Sequence, residues 1–505
     1  MPSPESRRLR GLALCVAVLA AAASAWLGQR VFGGVPHVAD GISYAFQGRI
    51  FAAGRPWLTP PAVPEAFYAQ NVLLNETRWC GIYPPGFPAL LAVGFLLGAP
   101  FLVNPILLGL AVFGVYRLGS VLYDGATGLY AAALLAVSPF ALLMGGDFMV
   151  HVASLCVFTW CLVFLARSAA EDGALPLLFA GLFGGSGVVI RPQAAVLFLA
   201  PAAIALLAVR RRTIGRTAGF LAFGAALPLA LLFAYNTSLS GNPLRMAYLV
   251  WDPDLPFTGG VSPLRLLSVH VPWFLRDLSA SVWGLPWGDL SLLVLLAFPA
   301  PKRRLDAVLS ACGIALVLGF ACYRFYDVSH SGPRYAFETL GVLALLTTRA
   351  LQTAARLPRA LAKRTGLAWI ERVTLVAGGA FLLAFPLALQ LPRRAEALSH
   401  TYHGHLNQPL RGLADAGVGR SALVLVSGNT VGFTYGSYFL ENGTDPRTAP
   451  RVFARDLPAK RAELLAAYPR EETWSLAITL RPLKPPDDWI ENIWDVADVR
   501  WKRLR

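Results

Sequence analysis

The segments 36–57, PHVADGISYAFQGRIFAAGRPW, and 78–91, RWCGIYPPGFPALL, form a polar island between the first two predicted membrane spans of the chain. The island places Asp40 just beyond an apolar helix, in a protein that otherwise keeps charge out of its hydrophobic segments. The Tyr-Pro-Pro sequence at 83–85 predicts a rigid turn, because the proline ring fixes the φ angle. A carboxylate, several aromatic side chains and a rigid turn together predict chemistry at the membrane surface, with Asp40 at its centre.

The composition indicates a polytopic helical membrane protein. The chain has 505 residues, of which 56% are hydrophobic and 14% charged, and it repeatedly offers charge-free runs of about 17 residues or more, enough to cross a bilayer. The net charge of +15 does not indicate nucleic acid, because the basic residues lie in short blocks at the ends of apolar runs. The six cysteines show no CxxC spacing, so neither a metal site nor a disulfide framework is predicted.

Charge distribution predicts the topology. If every apolar run crossed the membrane with the amino terminus inside, three basic blocks would lie outside, against the positive-inside rule: 210–212, 302–304 and 349–364. The run 86–99 is short and bounded by prolines, so we predict that it lies in the outer interface. Eleven spans then remain: 11–33, 101–118, 125–143, 148–166, 174–190, 192–209, 217–235, 285–300, 305–322, 335–348 and 372–391. The first run follows three arginines, as a signal peptide would, but the many later spans favour a retained helix.

With this topology, ionisable residues at the span ends gather on the outer side: Asp40, Arg49, Asp147, His151, Arg191, Arg324, His330, Arg334 and Glu338. Ionisable groups at membrane depth are costly unless they serve a site, so this convergence indicates function. Other roles stay open. An arginine at a helix end can extend to the lipid headgroups, and Asp40 could cap a helix expected from Gly41 to Ala53.

The order of several motifs resembles the polyprenyl-phosphate-sugar-dependent glycosyltransferases of the GT-C fold. The similarity is closest to bacterial relatives of the protein O-mannosyltransferases and of the aminoarabinose transferase that modifies lipid A, and it covers roughly residues 11–350. The motifs are SYAFQGRIFAAGR at 43–55, YPPGFPALLA at 83–92, YRLGSVLY at 116–123, AVSPFALLMGG at 136–146 and HSGPRYAFETLGVLALL at 330–346. The resemblance implies an all-α polytopic membrane fold of about eleven transmembrane helices plus outer interfacial helices.

The resemblance also implies roles for individual residues. Such enzymes carry an Asp, often Asp-Glu, in the first outside loop as the base; Asp40 matches it, but position 41 is Gly. A second polar residue follows the third span, where GGDFMVHVAS offers either Asp147 or His151. Arg334 and Tyr335 match an Arg-Tyr pair at the start of a span, which implies contacts to the lipid phosphate or the substrate.

The chemistry of sugar transfer from a lipid phosphate requires these residue types. The phosphate leaves readily, so the enzyme needs a base for the acceptor hydroxyl and cations for the departing phosphate. Arginine binds phosphate oxygens in pairs. We therefore predict as substrate-binding residues, with Arg334 foremost: Arg334, Tyr335, His330, Arg191, Tyr83 and Tyr44. A divalent metal ion is the less favoured alternative, because one Asp and one His are too few ligands for a typical Mg²⁺ or Mn²⁺ site.

The carboxy-terminal segment differs in composition from the rest of the chain. Charge rises, and 422–427 and 474–480 read as strands on either side of a helix-prone stretch, 453–468. At about 110 residues, the segment is long enough for a small α/β domain. The sequence therefore predicts a transmembrane module, 1–391, and an extracytoplasmic accessory domain, 392–505.

The sequence as a whole favours an inverting hexosyl- or pentosyltransferase in the cytoplasmic membrane with its site facing outside. Its expected partners are a polyprenyl-phosphate-linked sugar, a glycan, lipid or protein acceptor, and the surrounding membrane lipids. The main alternative is a transporter or lipid flippase, which would favour charges or broken helices near mid-span. A non-catalytic assembly protein is a third hypothesis, under which Asp40 would be dispensable.

Overall fold

The computed structural model describes residues 4–36, 38–253, 258–284, 304–324, 332–354, 369–402, 413, 416–429, 435–436, 438–482 and 493–505. The predicted span 285–300 and the predicted site residue His330 lie outside these ranges.

Helices dominate the described part of the chain. The elements before residue 150 are α1 (Pro4–Phe32), α2 (Ala39–Ala52), β1 (Val72–Leu74), β2 (Trp79–Gly81), α3 (Gly86–Leu96), α4 (Val103–Leu122), α5 (Gly125–Ala136) and α6 (Pro139–Gly146). The later helices before the carboxy-terminal sheet are α7 (His151–Ala170), α8 (Ala174–Ile190), α9 (Pro192–Val209), α10 (Ile214–Ser240), α11 (Ala247–Trp251), α12 (Pro263–Val282), α13 (Arg304–Ala321), α14 (Leu340–Ala354), α15 (Trp369–Phe385) and α16 (Leu391–Leu398).

The predicted membrane character is confirmed. Among the described residues, seven helices are long and apolar enough to cross a bilayer, and the pair α5 and α6, bent by 61°, would make an eighth span. Two further predicted spans are shorter helices: α8 has 17 residues, and α14 has 15 and follows a 3₁₀ turn, Arg334–Thr339. The run 86–99 forms the 11-residue α3, which packs on α2.

Small residues allow neighbouring helices to pack closely. A Cβ on Gly181 of α8 would lie 2.1 Å from the Leu221 carbonyl oxygen of α10, and a Cβ on Gly224 would lie 2.1 Å from the Leu178 carbonyl oxygen. In a bilayer, such backbone contact is a main source of helix association, because lipid already solvates apolar side chains. These glycines therefore hold α8 against α10.

Among the described residues, Arg210 and Gln352, which belong to two of the basic blocks, lie at the end of the helices opposite to His151 and Arg334. His151 begins α7, whereas Arg210 donates to the Ser168 carbonyl near the other end of that helix, at 2.7 Å. Gln352, which belongs to the basic block 349–364, donates to Thr127 Oγ1 at 2.8 Å. The helix bundle thus separates a basic end from the end that carries the candidate site.

A five-stranded sheet follows the helices, as predicted. Its strands are β3 (Thr401–Tyr402), β4 (Ala422–Gly428), β5 (Arg451–Arg455), β6 (Glu472–Pro482) and β7 (Ile493–Arg503), in the order β3-β7-β6-β4-β5. Strand β4 is parallel to β5 and β6, and the other pairs are antiparallel. The helix predicted over 453–468 is wrong at its start, because Phe453 and its neighbours are buried in β5; the helix α17 spans only Arg461–Ala467. The domain boundary at 391 stays a prediction.

Cysteine labelling tests the predicted orientation. Leu244 is 72% exposed and follows the end of α10 that is remote from the basic block 210–212. Arg212, within that block, is also exposed. In a background with Cys15 and Cys322 replaced by Ser, we expect Leu244→Cys to react with an impermeant maleimide on intact cells. Arg212→Cys should react only after permeabilisation, because the positive-inside rule puts it in the cytoplasm. The reverse pattern would place the candidate site on the cytoplasmic face.

Candidate active site

Asp40 lies in the first turn of α2. The helix begins at Ala39, and its N-cap residue is Val38, without a side-chain capping bond. The capping role considered for Asp40 is therefore wrong: the residue is inside the helix, and its carboxylate points to other partners. Its negative charge is favourable at this helix end, because the first turn carries the positive end of the helix dipole.

Three side chains donate hydrogen bonds to the Asp40 carboxylate. Asn71 Nδ2 and Tyr83 Oη donate to Oδ1, at 2.6 Å and 2.5 Å, and Arg334 NH1 donates to Oδ2 at 2.5 Å. The Asp40 and Arg334 side chains are 17% and 13% exposed. The sequence offered no cation to pair with Asp40, and the structure supplies Arg334 from a distant part of the chain.

Asn71 and Tyr83 are the two uncharged donors to Asp40. Among the described residues, Asn71 is the non-glycine residue with a positive φ, 60°, a conformation that Asn adopts more readily than most residues. Burial is the main reason that the pKa of the Tyr83 hydroxyl is raised well above its usual range, and the charge of Asp40 raises it further. The Tyr83 hydroxyl therefore stays protonated and remains a donor.

Strand β2 is pressed against α2, and this contact aims Tyr83 at Asp40. The Gly81 N–H donates to Gln47 Oε1 at 2.9 Å. A Cβ on Gly81 would lie 2.7 Å from the Ser43 carbonyl oxygen, so only glycine allows this approach.

A second ion pair lies among the spans. Arg191, between α8 and α9, donates through NH1 to Glu338 Oε1 and lies 2.9 Å from His151 Nδ1. His151 Nδ1 is 3.5 Å from Glu338 Oε1, and Glu338 is fully buried. Sequence reasoning placed Glu338 on the outer side but gave it no role. An acidic residue inside the predicted span 335–348, four positions after Arg334, is the sequence signal that could have identified it.

Tyr335 connects the two ion pairs. Its ring lies 5.2 Å from the Arg334 guanidinium and 6.0 Å from that of Arg191. The ring also stacks on Phe320 at 5.2 Å, and the Arg191 guanidinium lies 5.1 Å from Phe320. Aromatic faces attract cations and hold them without neutralising them. Both arginines therefore lie at one aromatic surface.

The other predicted residues occupy different surroundings. Tyr44 is buried beside the site, with its ring 4.5 Å from that of Tyr83. Asp147 is buried, and its Oδ1 accepts the N–H of Phe148 at 2.7 Å. Of the two candidates for the second polar residue, the structure thus brings His151 to the ion pair of Arg191.

Gly41, at the position of the second acid of the family's pair, lies close to two neighbouring side chains. A Cβ on Gly41 would lie 3.3 Å from Pro36 Cβ and 3.5 Å from Phe148 Cβ. The second distance is an ordinary van der Waals contact and the first is slightly tighter, so a Cβ at position 41 needs only a small shift of Pro36. Among the described residues, no group of three or more His, Cys, Asp or Glu side chains could hold a metal ion.

The comparisons with known proteins agree with this architecture. Residues 83–253 match the family model described as dolichyl-phosphate-mannose-protein mannosyltransferase. The structure of ArnT from Cupriavidus metallidurans bound to undecaprenyl phosphate is similar over 95% of this chain and 98% of ArnT, with 15% identity and a TM-score of 0.51. Its apo form matches over 92% and 95%, with 12% identity and a TM-score of 0.54. No curated protein sequence matches significantly.

A second structural relative is the oligosaccharyltransferase of Archaeoglobus fulgidus in complex with Zn and sulfate. It matches over 92% of this chain and 68% of its own, with 15% identity and a TM-score of 0.51. These likenesses establish the fold. The chain is a polytopic membrane protein with the GT-C fold, and the resemblance to glycosyltransferases of the protein mannosyltransferase and ArnT type is confirmed.

Removing the buried charge of Glu338 should destabilise the protein. Glu338→Gln leaves Arg191 without its buried counter-ion, and breaking such a pair costs about 3–5 kcal/mol. We expect a lower apparent melting temperature in detergent. Glu463→Gln, in an exposed pair with Lys460, is the matched control and should change little, because exposed pairs contribute about 0–1 kcal/mol. Equal effects of the two substitutions would show that the buried pair does not stabilise the fold.

Proposed function

We propose that the protein is an inverting glycosyltransferase that moves a sugar from a polyprenyl-phosphate carrier to an acceptor on the outer face of the cytoplasmic membrane. The observation that carries the proposal is the Asp40–Arg334 pair, which places a potential base and a phosphate-binding cation in contact at one end of the helix bundle. The fold supports it, since the ArnT structure of this fold holds undecaprenyl phosphate.

In this proposal Asp40 removes the proton of the acceptor hydroxyl as the sugar leaves the carrier. Arg334 binds the carrier phosphate and Arg191 adds positive charge nearby, so both stabilise the negative charge that develops on the leaving phosphate. An arriving phosphate competes with Asp40 for Arg334. Its binding would release one oxygen of the carboxylate, which is then available as the base.

The remaining predicted residues take supporting roles. His151 and Glu338 fix Arg191. Tyr83 orients Asp40, and Tyr335 with Tyr44 forms aromatic surface beside the site. The basic end of the bundle is cytoplasmic in this proposal, and the sheet from residue 401 onward belongs to an extracytoplasmic accessory domain.

Glycan analysis of a deletion strain tests the reaction and identifies its substrates. We expect mass spectrometry of envelope glycans to show one missing sugar, restored by the wild-type gene. The lost sugar names the donor, and the molecule that lacks it names the acceptor. Unchanged glycans together with altered export of a lipid or solute would favour a transporter instead.

Asp40→Asn should abolish transfer. The change keeps the size of the side chain but removes the proton acceptor, and loss of a general base costs about 10²–10⁴ in rate. The measurement is restoration of the missing glycan in the deletion strain, with membrane insertion checked by immunoblot. Asp172→Asn, at a 99% exposed side chain beyond α7, is the control and should restore the glycan fully. Wild-type restoration by Asp40→Asn would exclude Asp40 as the base.

Arg334→Lys should weaken donor binding. Lysine keeps the charge but loses the planar fork, and one lost bond to a charged group is worth roughly 1.5–3 kcal/mol, tenfold or more in affinity. We expect a higher donor KM and weaker inhibition by undecaprenyl phosphate without sugar. Arg245→Lys, at an exposed position beyond α10, is the control. An unchanged donor KM and unchanged inhibition would place the phosphate site elsewhere.

A further inference from the structure

The carboxy-terminal part of the chain touches the polar island that carries Asp40. The contact is Phe439, just before the 3₁₀ turn Leu440–Asn442, and it is 1% exposed. Its ring lies 4.8 Å from that of Phe46 and 5.7 Å from that of Trp79, measured between centroids. The two partners belong to two pieces of the island, α2 and β2.

These two pieces hold the carboxylate and its donor. Helix α2 carries Asp40 in its first turn, and β2 ends two residues before Tyr83, which donates to Asp40. The rings of Phe46 and Trp79 also contact each other, at 4.9 Å. A single side chain from outside the island therefore packs against both elements at their junction.

Further contacts join the same two parts of the chain. Arg49, in the last turn of α2, donates to the Leu440 carbonyl. The Ala62 N–H, between α2 and β1, donates to the Tyr468 hydroxyl at 3.2 Å. Residues that follow the membrane helices thus contact the loop after α2 and also hold α2 at the end opposite to Asp40.

We propose that Phe439 is a positioning residue, which holds α2 and β2 together so that Asp40 and Tyr83 keep their alignment during sugar transfer. The inference rests on the proposed function and gives the carboxy-terminal domain a part in catalysis. Reacting groups must be held closely, because a displacement of about 1 Å can cost ~10²-fold in rate. The Phe439 ring itself does not contact the reacting carboxylate; it acts through Phe46 and Trp79.

Phe439→Leu, compared with Tyr438→Leu, tests this role. Tyr438 is the adjacent buried aromatic residue, and its ring stacks on Phe453 within the sheet domain at 5.3 Å. In full-length protein in nanodiscs, Phe439→Leu should lower kcat about 10–100-fold. Binding of radiolabelled undecaprenyl phosphate, the probe of the donor site, should stay within about twofold of wild type. Tyr438→Leu should retain kcat, and Phe439→Met, of similar volume, should recover most of it.

A double-mutant cycle separates positioning from general loosening. Tyr83→Phe removes one hydrogen bond to Asp40 and should slow the wild-type enzyme. In the Phe439→Leu background the same change should cost much less, because the alignment that the bond maintains is already lost; contacting or coupled residues show such non-additivity. Fully additive effects of the two substitutions would overturn the inference.

Hydrogen exchange provides a measurement that needs no substrate. In Phe439→Leu, the amides of 38–52 and 79–83 should exchange faster than in wild type and in Tyr438→Leu. If the two leucine variants have the same amide exchange rates and the same kcat, Phe439 does not hold α2 and β2 together, and the inference is wrong. If wild type transfers no sugar but exchange rises only in Phe439→Leu, the proposed function fails while the contact that positions the island is supported.

Discussion

The ion pair between Asp40 and Arg334 is the interaction on which the arrangement of the site depends. The two residues are 294 positions apart in the chain, one in a loop helix and the other in the turn before α14. A carboxylate shielded from water at a membrane surface is costly unless it is paired and hydrogen-bonded. The pair forms only when the polar island lies on the helix bundle, so it links the position of the loop to the packing of the spans.

The 3₁₀ turn Arg334–Thr339 contributes one residue to each of the two ion pairs of the site. Arg334 at its start pairs with Asp40, and Glu338, four residues later, pairs with Arg191. Opposite charges on one short turn thus face two partners on different elements, with Tyr335 in contact with both arginines. Because Glu338 is fully buried, its position is fixed by Arg191, and this fixes the turn that presents Arg334.

The site combines groups from three parts of the chain. The polar island contributes the carboxylate, the turns between membrane helices contribute the two cations, and the carboxy-terminal part packs against the island through Phe439. The loop that carries Asp40 is thus in contact with other parts of the chain on two sides. The close contact at Gly81 matters for the same reason, since it allows an approach of β2 to α2 that a larger residue would prevent.

The sequence alone determined the elements that local burial dictates. Continuous apolar runs specify membrane helices, because a helix satisfies its own backbone in lipid, and apolar segments such as 422–427 specify buried strands. It also identified Asp40, Arg191 and Arg334 as costly charges at span ends. Only the tertiary structure decided that Arg334 pairs with Asp40 and that Glu338 holds Arg191. It also made residues 453–455 part of a strand, because the neighbouring strand β4 pairs with them and the side chains of Phe453 and Ala454 are buried. Such pairings join segments that are distant in the chain. A local sequence pattern indicates which side chains of a segment are buried, but it does not indicate which other segment they contact.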